Sequence, residues 1–487
     1  MASNRADGPC VKCYFAFVLI IVIVLVATGL WNPFPNLWDW ANQSDPLSRP
    51  DATWQQRLGG TPQSVTIAGD TVIVEHRTTV EARSLATGLQ LWERKADWAA
   101  VAGGERDPVV VVGKLLVHGY EVLDPQTGAV RRRDESAVAV WTYRDAVLDA
   151  TCHEPNDCTI TAWAPRGSTP LWTAALPGVT ATFFADNPRL LGTRRMTTKR
   201  VAEDAGGPEP LPGILGFPVD GRVYFVDTAN GRLVQEVKPG RRERVVAVGD
   251  RALHIRSIPR DGTCYFAIEG RDPTNGQRIW QRAGLNLNTA DRAGCVQRRD
   301  PEGGRNVVVG IAPDLRETVI RAYDGRPLLV GEPGEELLAV DDRYAIVRAA
   351  DGRKVTGREL GAGVRWTRDV HPDSGAALTR HAAVVTERKP DRIVALEPAT
   401  GRELADLRSS AKVLAVGPAG LVIGEGRDIA YIRFGGSPGD DSTDGGTGDR
   451  GDGSGTDGRS SAGGGNPGAP TCTGPKNEQC PDPGGAK

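Results

Sequence analysis

Residues 80–93 read VEARSLATGLQLWE. Apolar residues alternate with polar ones up to the turn, as in a strand with one buried face. Thr87-Gly88 then supplies a position that tolerates positive φ, which a tight hairpin needs. A second β-prone run follows and carries Trp92. The unit recurs as YEVLDPQTGAVRR (120–132), ITAWAPRGSTPLWT (160–173), VYFVDTANGRLVQE (223–236), FAIEGRDPTNGQRIWQ (266–281), VIRAYDGRPLLV (319–330) and RIVALEPATGRELAD (392–406). A weaker copy, GRKVTGRELGAGVRWTRD, occupies 352–369.

Ahead of each hairpin stands another pair of short strands split by a Gly or Asp turn. Examples are SVTIAGDTVIVEH (64–76), RVVAVGDRALHIR (244–256) and ELLAVDDRYAIVR (336–348). Four strands per repeat make one antiparallel sheet, and most repeats lie about 38–50 residues apart, the spacing of propeller blades. A lone sheet cannot bury both faces, so sheets stack around a ring. The stretch MTTKRVAEDAGGPEPLPG (196–213) breaks the spacing and reads as an inserted loop. At the C-terminal end, KVLAVGPAGLVIGEGRDIAYIRF (412–434) offers three strands, and TWQQRLGG (53–60) offers one. Pairing them in one composite blade closes the ring and removes a free sheet edge.

The repeat resembles the PQQ-like propeller unit of quinoprotein alcohol dehydrogenases and of the BamB-like outer-membrane assembly lipoproteins. The residues that carry the resemblance are 85–92 (LATGLQLW), 272–280 (DPTNGQRIW) and 396–401 (LEPATG). It spans roughly residues 53–434. The fold expected is all-β, an eight-bladed PQQ-like β-propeller, with an N-terminal transmembrane helix and a disordered C-terminal tail.

What the resemblance implies about activity divides in two. The dehydrogenases hold the quinone cofactor on the ring axis beside a Ca²⁺ ion, with an Asp as base, and many have a disulfide between adjacent cysteines against the cofactor. No Cys-Cys pair occurs here. Trp92, Trp172, Trp280 and Trp366 sit at the outer-strand place of the repeat, where they are expected to pack between blades. Asp124, Asp227, Asp272 and Asp324 recur at the turn and read as turn formers. The six histidines, His76, His118, His153, His254, His371 and His381, match no metal-ligand spacing, and neither a GxSxG elbow nor a P-loop is present. Arg131-Arg-Arg133 and the Arg-rich 241–244 read as solvated faces. The sequence therefore leans away from an enzyme and names no catalytic, cofactor-binding or metal residue. The favoured role is a tethered module that binds or scaffolds a protein or cell-envelope partner, without a cofactor. The alternative is a PQQ-dependent quinoprotein dehydrogenase, which would require PQQ and Ca²⁺.

Tethering follows from FAFVLIIVIVLVATGL (15–30), an uncharged run close to the length of a spanning helix. Arg5 and Lys12 precede it, and Asp39 and Asp45 follow, so the N-terminus is expected in the cytoplasm and the propeller outside, in a single-pass cell-membrane protein. Trp31, Trp38 and Trp40 read as interfacial anchors. No small-residue cleavage site follows, which favours an uncleaved signal-anchor. The expected divisions are 1–13 cytoplasmic, 14–31 spanning, 32–52 juxtamembrane, 53–434 propeller and 435–487 tail. The eight cysteines form four close pairs. Cys152/Cys158, Cys264/Cys295 and Cys472/Cys480 are disulfide candidates in an oxidising compartment, whereas Cys10 and Cys13 read as incidental thiols. From Gly435 the sequence turns to Gly, Ser, Asp and Thr and cannot form a core. With 59 Lys and Arg against 61 Asp and Glu, no basic field exists to attract nucleic acid.

Overall fold

The computed structural model describes residues 52–154, 157–177, 189–291 and 294–435. These residues form 34 strands grouped into nine antiparallel sheets, with no helix among them. Consecutive strands pair within each sheet, as the hairpin repeats require. Blade 1 contains Ser64–Ala68, Thr71–Glu75, Val80–Ser84 and Gln90–Arg94, and the pattern continues in chain order to blade 9. The first strands of neighbouring blades touch: Ser64–Ala68 meets both Trp98–Ala102 of blade 2 and Lys412–Gly417 of blade 9. First strands therefore surround the axis, and last strands lie on the rim. Burial follows the same gradient. Val72, Val74, Val80 and Ala82 are fully buried, whereas Gln90–Arg94 is exposed or half-buried throughout.

Ring closure is the expected one. Trp54–Arg57 pairs with Asp428–Arg433, with Trp54 opposite Tyr431 and Arg57 opposite Asp428. Blade 9 thus combines the two ends of the propeller sequence.

The ring has nine blades, not the eight expected. The copy at 352–369 lacks the Thr-Gly turn and carries Gly361 and Gly363 instead, yet Lys354–Glu359 and Gly363–Asp369 pair as a full outer hairpin. Eight hairpins plus the composite blade make nine. Two of the blades have only three strands: blade 4 (Ile214–Val219, Arg222–Asp227, Arg232–Val237) and blade 6 (Val307–Ile311, Glu317–Arg321, Pro327–Val330). Among the described residues no helix is long and apolar enough to cross a membrane, so the spanning helix forms no part of this fold. Residues 14–31, on which it was expected, lie outside the described residues, as do Cys10, Cys13, Cys472, Cys480 and the tail beyond Gly435.

At five of the nine junctions a recurring tryptophan joins one blade to the next. The indole of Trp54 in blade 9 lies over Gly88 of blade 1, so close that a Cβ on Gly88 would stand 2.7 Å from it. Its Nε1–H donates to the Leu85 carbonyl at 2.7 Å. Trp92 meets Gly128, Trp172 meets Gly231, Trp280 meets Gly325 and Trp366 meets Gly401 in the same way. Trp92, Trp280 and Trp366 also donate to turn carbonyls, at 2.8–3.0 Å, from Pro125, Ala322 and Pro398. The turn glycine is needed twice: its φ is positive, and its missing side chain makes room for the indole.

Gly401→Ala tests this joint. Gly401 has φ +72° and would place a Cβ 2.5 Å from Trp366 Cγ. Its substitution is expected to cost about 3 kcal/mol or more, from backbone strain plus overpacking. Gly426→Ala, at φ +60° with open space around the new Cβ, is expected to cost only the strain, about 1–2 kcal/mol. Thermal unfolding of the two variants measures the difference.

Candidate functional site

The inserted segment expected at 196–213 does not hang from the rim. It follows the last strand of blade 3 and runs through the centre of the ring. Leu190 and Leu191 pack with Leu215 and Phe217 of blade 4, where an innermost strand is missing. Next, Arg194 N–H donates to the Pro301 carbonyl at 2.9 Å, and Gly303 N–H donates to the Arg194 carbonyl at 3.0 Å. Residues 301–304 in turn hold the inner edge of blade 6, through Gly304 N–H to Val307 O and Val309 N–H to Glu302 O. The chain then crosses to blade 9 and runs parallel to its inner strand. Val413 N–H donates to Arg200 O, Ala202 N–H to Val413 O and Val416 N–H to Ala205 O, all at 2.7–2.8 Å.

Side chains fix this plug. The Arg200 guanidinium donates to the Glu387 and Ser409 carbonyls, both at 2.5 Å. Val201 and Ala205 are buried against Ala377, Ala382 and Val416. The segment then leaves over blade 3, where Arg144 N–H donates to Glu209 O and Leu211 N–H to the Asp145 carboxylate, each at 2.7 Å. Its composition explains the path. Small residues fit beside an inner strand, and Pro208, Pro210 and Pro212 stiffen the exit.

Three cavities flank the plug. One of about 310 Å³ lies against the turns of blades 6–8 and is lined by Arg144, Arg195, Arg305, Asp341, Asp342 and Arg380. A second, of about 450 Å³, faces blades 1–3. The third, about 140 Å³, adjoins blades 1, 2 and 9. Charge is concentrated here. Arg195 pairs with Glu209. Burial lowers the Arg195 and Arg380 guanidinium pKa values, opposed by Asp341 and Asp204 at Arg195 and by Glu105 at Arg380. His381 is pushed down to about 4 by burial and by Arg380, so its ring is neutral at neutral pH. Burial raises Asp341, Asp342, Glu75 and Asp204.

Among the described residues no group of three His, Cys, Asp or Glu side chains is placed to hold the Ca²⁺ that a quinone cofactor would need. The plug, hydrogen-bonded to blades 6 and 9, crosses the axis and leaves separate cavities beside it. The repeat's indoles, Trp92, Trp172, Trp280 and Trp366, are committed to turn glycines, and Trp141, which lines the second cavity, packs edge-on against Phe217. The recurring carboxylates are also engaged: Asp124, Asp227, Asp272 and Asp324 each accept a backbone N–H of their own turn.

The remaining sequence candidates are dispersed. His254 is buried and bonded to Glu243 at 2.8 Å, and His76 lies 3.2 Å from Glu81. Cys152–Cys158 and Cys264–Cys295 are disulfide-bonded, the first directly across a hairpin and the second tying a hairpin to the loop before blade 6.

One cluster escaped the sequence reading. The sequence places Arg132 on a solvated face, but only its neighbours Arg131 and Arg133 are exposed. Arg132 occupies the tryptophan place of blade 2. It donates to Gly167 O of blade 3 at 3.0 Å and lies 4.5 Å from the Trp163 ring centroid. Beneath it, Tyr120 O–H and Trp163 Nε1–H both donate to Asp149 Oδ2, at 2.6 and 2.8 Å. An arginine where the repeat has tryptophan was the available signal. Burial raises Asp149 to about 6, against the pull of those two hydrogen bonds. The folded state therefore holds this proton more tightly than the unfolded chain, and the stability present below about pH 4 declines as pH rises toward 6. Asp149→Asn is expected to flatten that decline. The difference between wild type and variant across pH 4–7 should be about 1–3 kcal/mol, read from denaturation midpoints.

No family model and no curated protein matches the chain. Among solved structures it is similar to BamB from Moraxella catarrhalis, at 16% identity over 79% of this chain and 99% of that one, with a TM-score of 0.35. The computationally designed Ika8 protein is 16% identical over 78% and 98% of the two chains, with a TM-score of 0.36. Quinohemoprotein alcohol dehydrogenase from Comamonas testosteroni is 11% identical over 79% and 76%, also at 0.36. The nine sheets establish the architecture without these likenesses, which carry nothing about activity. The chain is a β-propeller, as the resemblance of its repeat implies, and its structural neighbours include BamB and quinohemoprotein alcohol dehydrogenases.

Proposed function

We propose that this propeller is a binding or scaffold module for a protein or cell-envelope partner and that it performs no cofactor chemistry. The observation that carries the reading is the plug. Residues 190–211 take up the axis, so contacts with other molecules fall to the turns and the plug's own exposed side chains. Rigid sheets that display loops at a ring mouth suit recognition. That mouth is charged and partly exposed at Arg144, Arg343 and Arg380. An extracytoplasmic, membrane-tethered placement belongs to the same reading. Its support is the sequence of residues 15–30 with its flanking charges, together with two disulfides in the propeller.

The test uses the full chain, tagged and cross-linked in its own membranes. A discrete envelope protein should be captured, and Arg144→Glu with Arg343→Glu should lower its recovery at least tenfold while thermal unfolding is unchanged. Unchanged recovery would move the interface away from the ring mouth. The purified chain should neither bind PQQ with Ca²⁺ saturably nor oxidise alcohols or sugars in a dye-linked assay. Turnover would overturn the reading.

A further inference from the structure

The cavity of about 310 Å³ beside the plug has an unbalanced set of charges. Its acids are all engaged. Glu209 is paired with Arg195. Asp341 accepts the backbone N–H groups of Arg343 and Tyr344, at 2.7 and 2.6 Å. Asp342 accepts the Asn306 backbone N–H at 2.6 Å and the Asn306 side-chain amide at 3.2 Å. Of the cations, Arg343 turns out to Glu359, 3.2 Å away.

The other cations are incompletely paired. No carboxylate among the described residues pairs with Arg144. Arg380 has only Glu105, at 3.7 Å, and spends its Nε–H on His381 at 2.7 Å. Arg144 and Arg380 are close enough to repel, which helps lower Arg380. Arg305 Nε lies 3.5 Å from Asp342 but is buried without a hydrogen bond. Like charges gathered around a cavity, with a buried donor unused, are unfavourable until an anion enters.

We infer that Arg144, Arg305 and Arg380 form a binding site for a small polyvalent oxyanion, a phosphate ester or a di- or tricarboxylate. The volume is at the small end of ligand pockets, and guanidinium forks match the geometry of both oxyanions. Arg195, bonded to Glu209, holds the plug side of the cavity. The inference rests on reading the ring mouth as the binding face. Its probe is a small anion, so it fails separately from partner capture.

Calorimetry on the full chain at low ionic strength, with inorganic phosphate and citrate as separate titrants, tests it. At least one should bind saturably at one per chain, and the stronger of the two identifies the oxyanion class. Arg144→Gln and Arg380→Gln should each weaken binding at least tenfold, and Arg260→Gln, on a distant hairpin tip, should not. The bound anion should also raise the thermal midpoint of wild type and not of the double variant. Absence of saturable binding by both anions, or binding indifferent to Arg144 and Arg380, would overturn the site.

Discussion

An indole laid over a turn that has no β-carbon is the contact on which this ring depends. Each blade is a sheet with two apolar faces, and neither face is buried until neighbours arrive. The Trp-to-glycine joint sets how closely they arrive and at what angle, because the ring fills the space beside the turn and its N–H fixes the register. It recurs at five junctions, including the one that closes the ring, Trp54 on Gly88. Where the residue changes, the job remains. Arg132 reaches the turn of blade 3, and Gln235 stands at the place facing Gly276 of blade 5.

Nine sheets set around one axis leave a wide centre. Inner-strand side chains alone do not fill it, and two blades lack an inner strand altogether. The plug answers both shortfalls. Leu190 and Leu191 cover blade 4, residues 301–304 with Arg194 complete blade 6, and 200–205 lie against blade 9. Backbone donors and acceptors that would face an open channel are thereby satisfied. What the plug leaves over is three cavities with charged walls, and there the fold offers chemistry to a ligand.

Much of this was legible in the sequence because each blade repeats its own local rules. Thr87-Gly88 and its relatives mark the hairpins, the aspartates at 124, 227, 272 and 324 mark turn chemistry, and the split blade follows from three strands at one end and one at the other. The expectation of eight blades leaves out one of the weak copies, whereas the weak copy at 352–369, whose turn lacks Thr-Gly, is an ordinary hairpin and brings the count to nine. The insertion was visible at 196–213, but its route was not. A path through the ring depends on hydrogen bonds to residues 65 to 213 positions away, and no local pattern records them. The cavity beside it was illegible for the same reason: Arg144, Arg305 and Arg380 belong to three different blades and meet only when the ring closes.

Amide hydrogen exchange on the full chain tests the plugged ring most directly. The amides of Ala202, Val413 and Val416 join the plug to blade 9 and should exchange as slowly as that of Val72 in the core of blade 1. Exchange of these three at the rate of the exposed Leu116 turn would show an open axis and contradict the account.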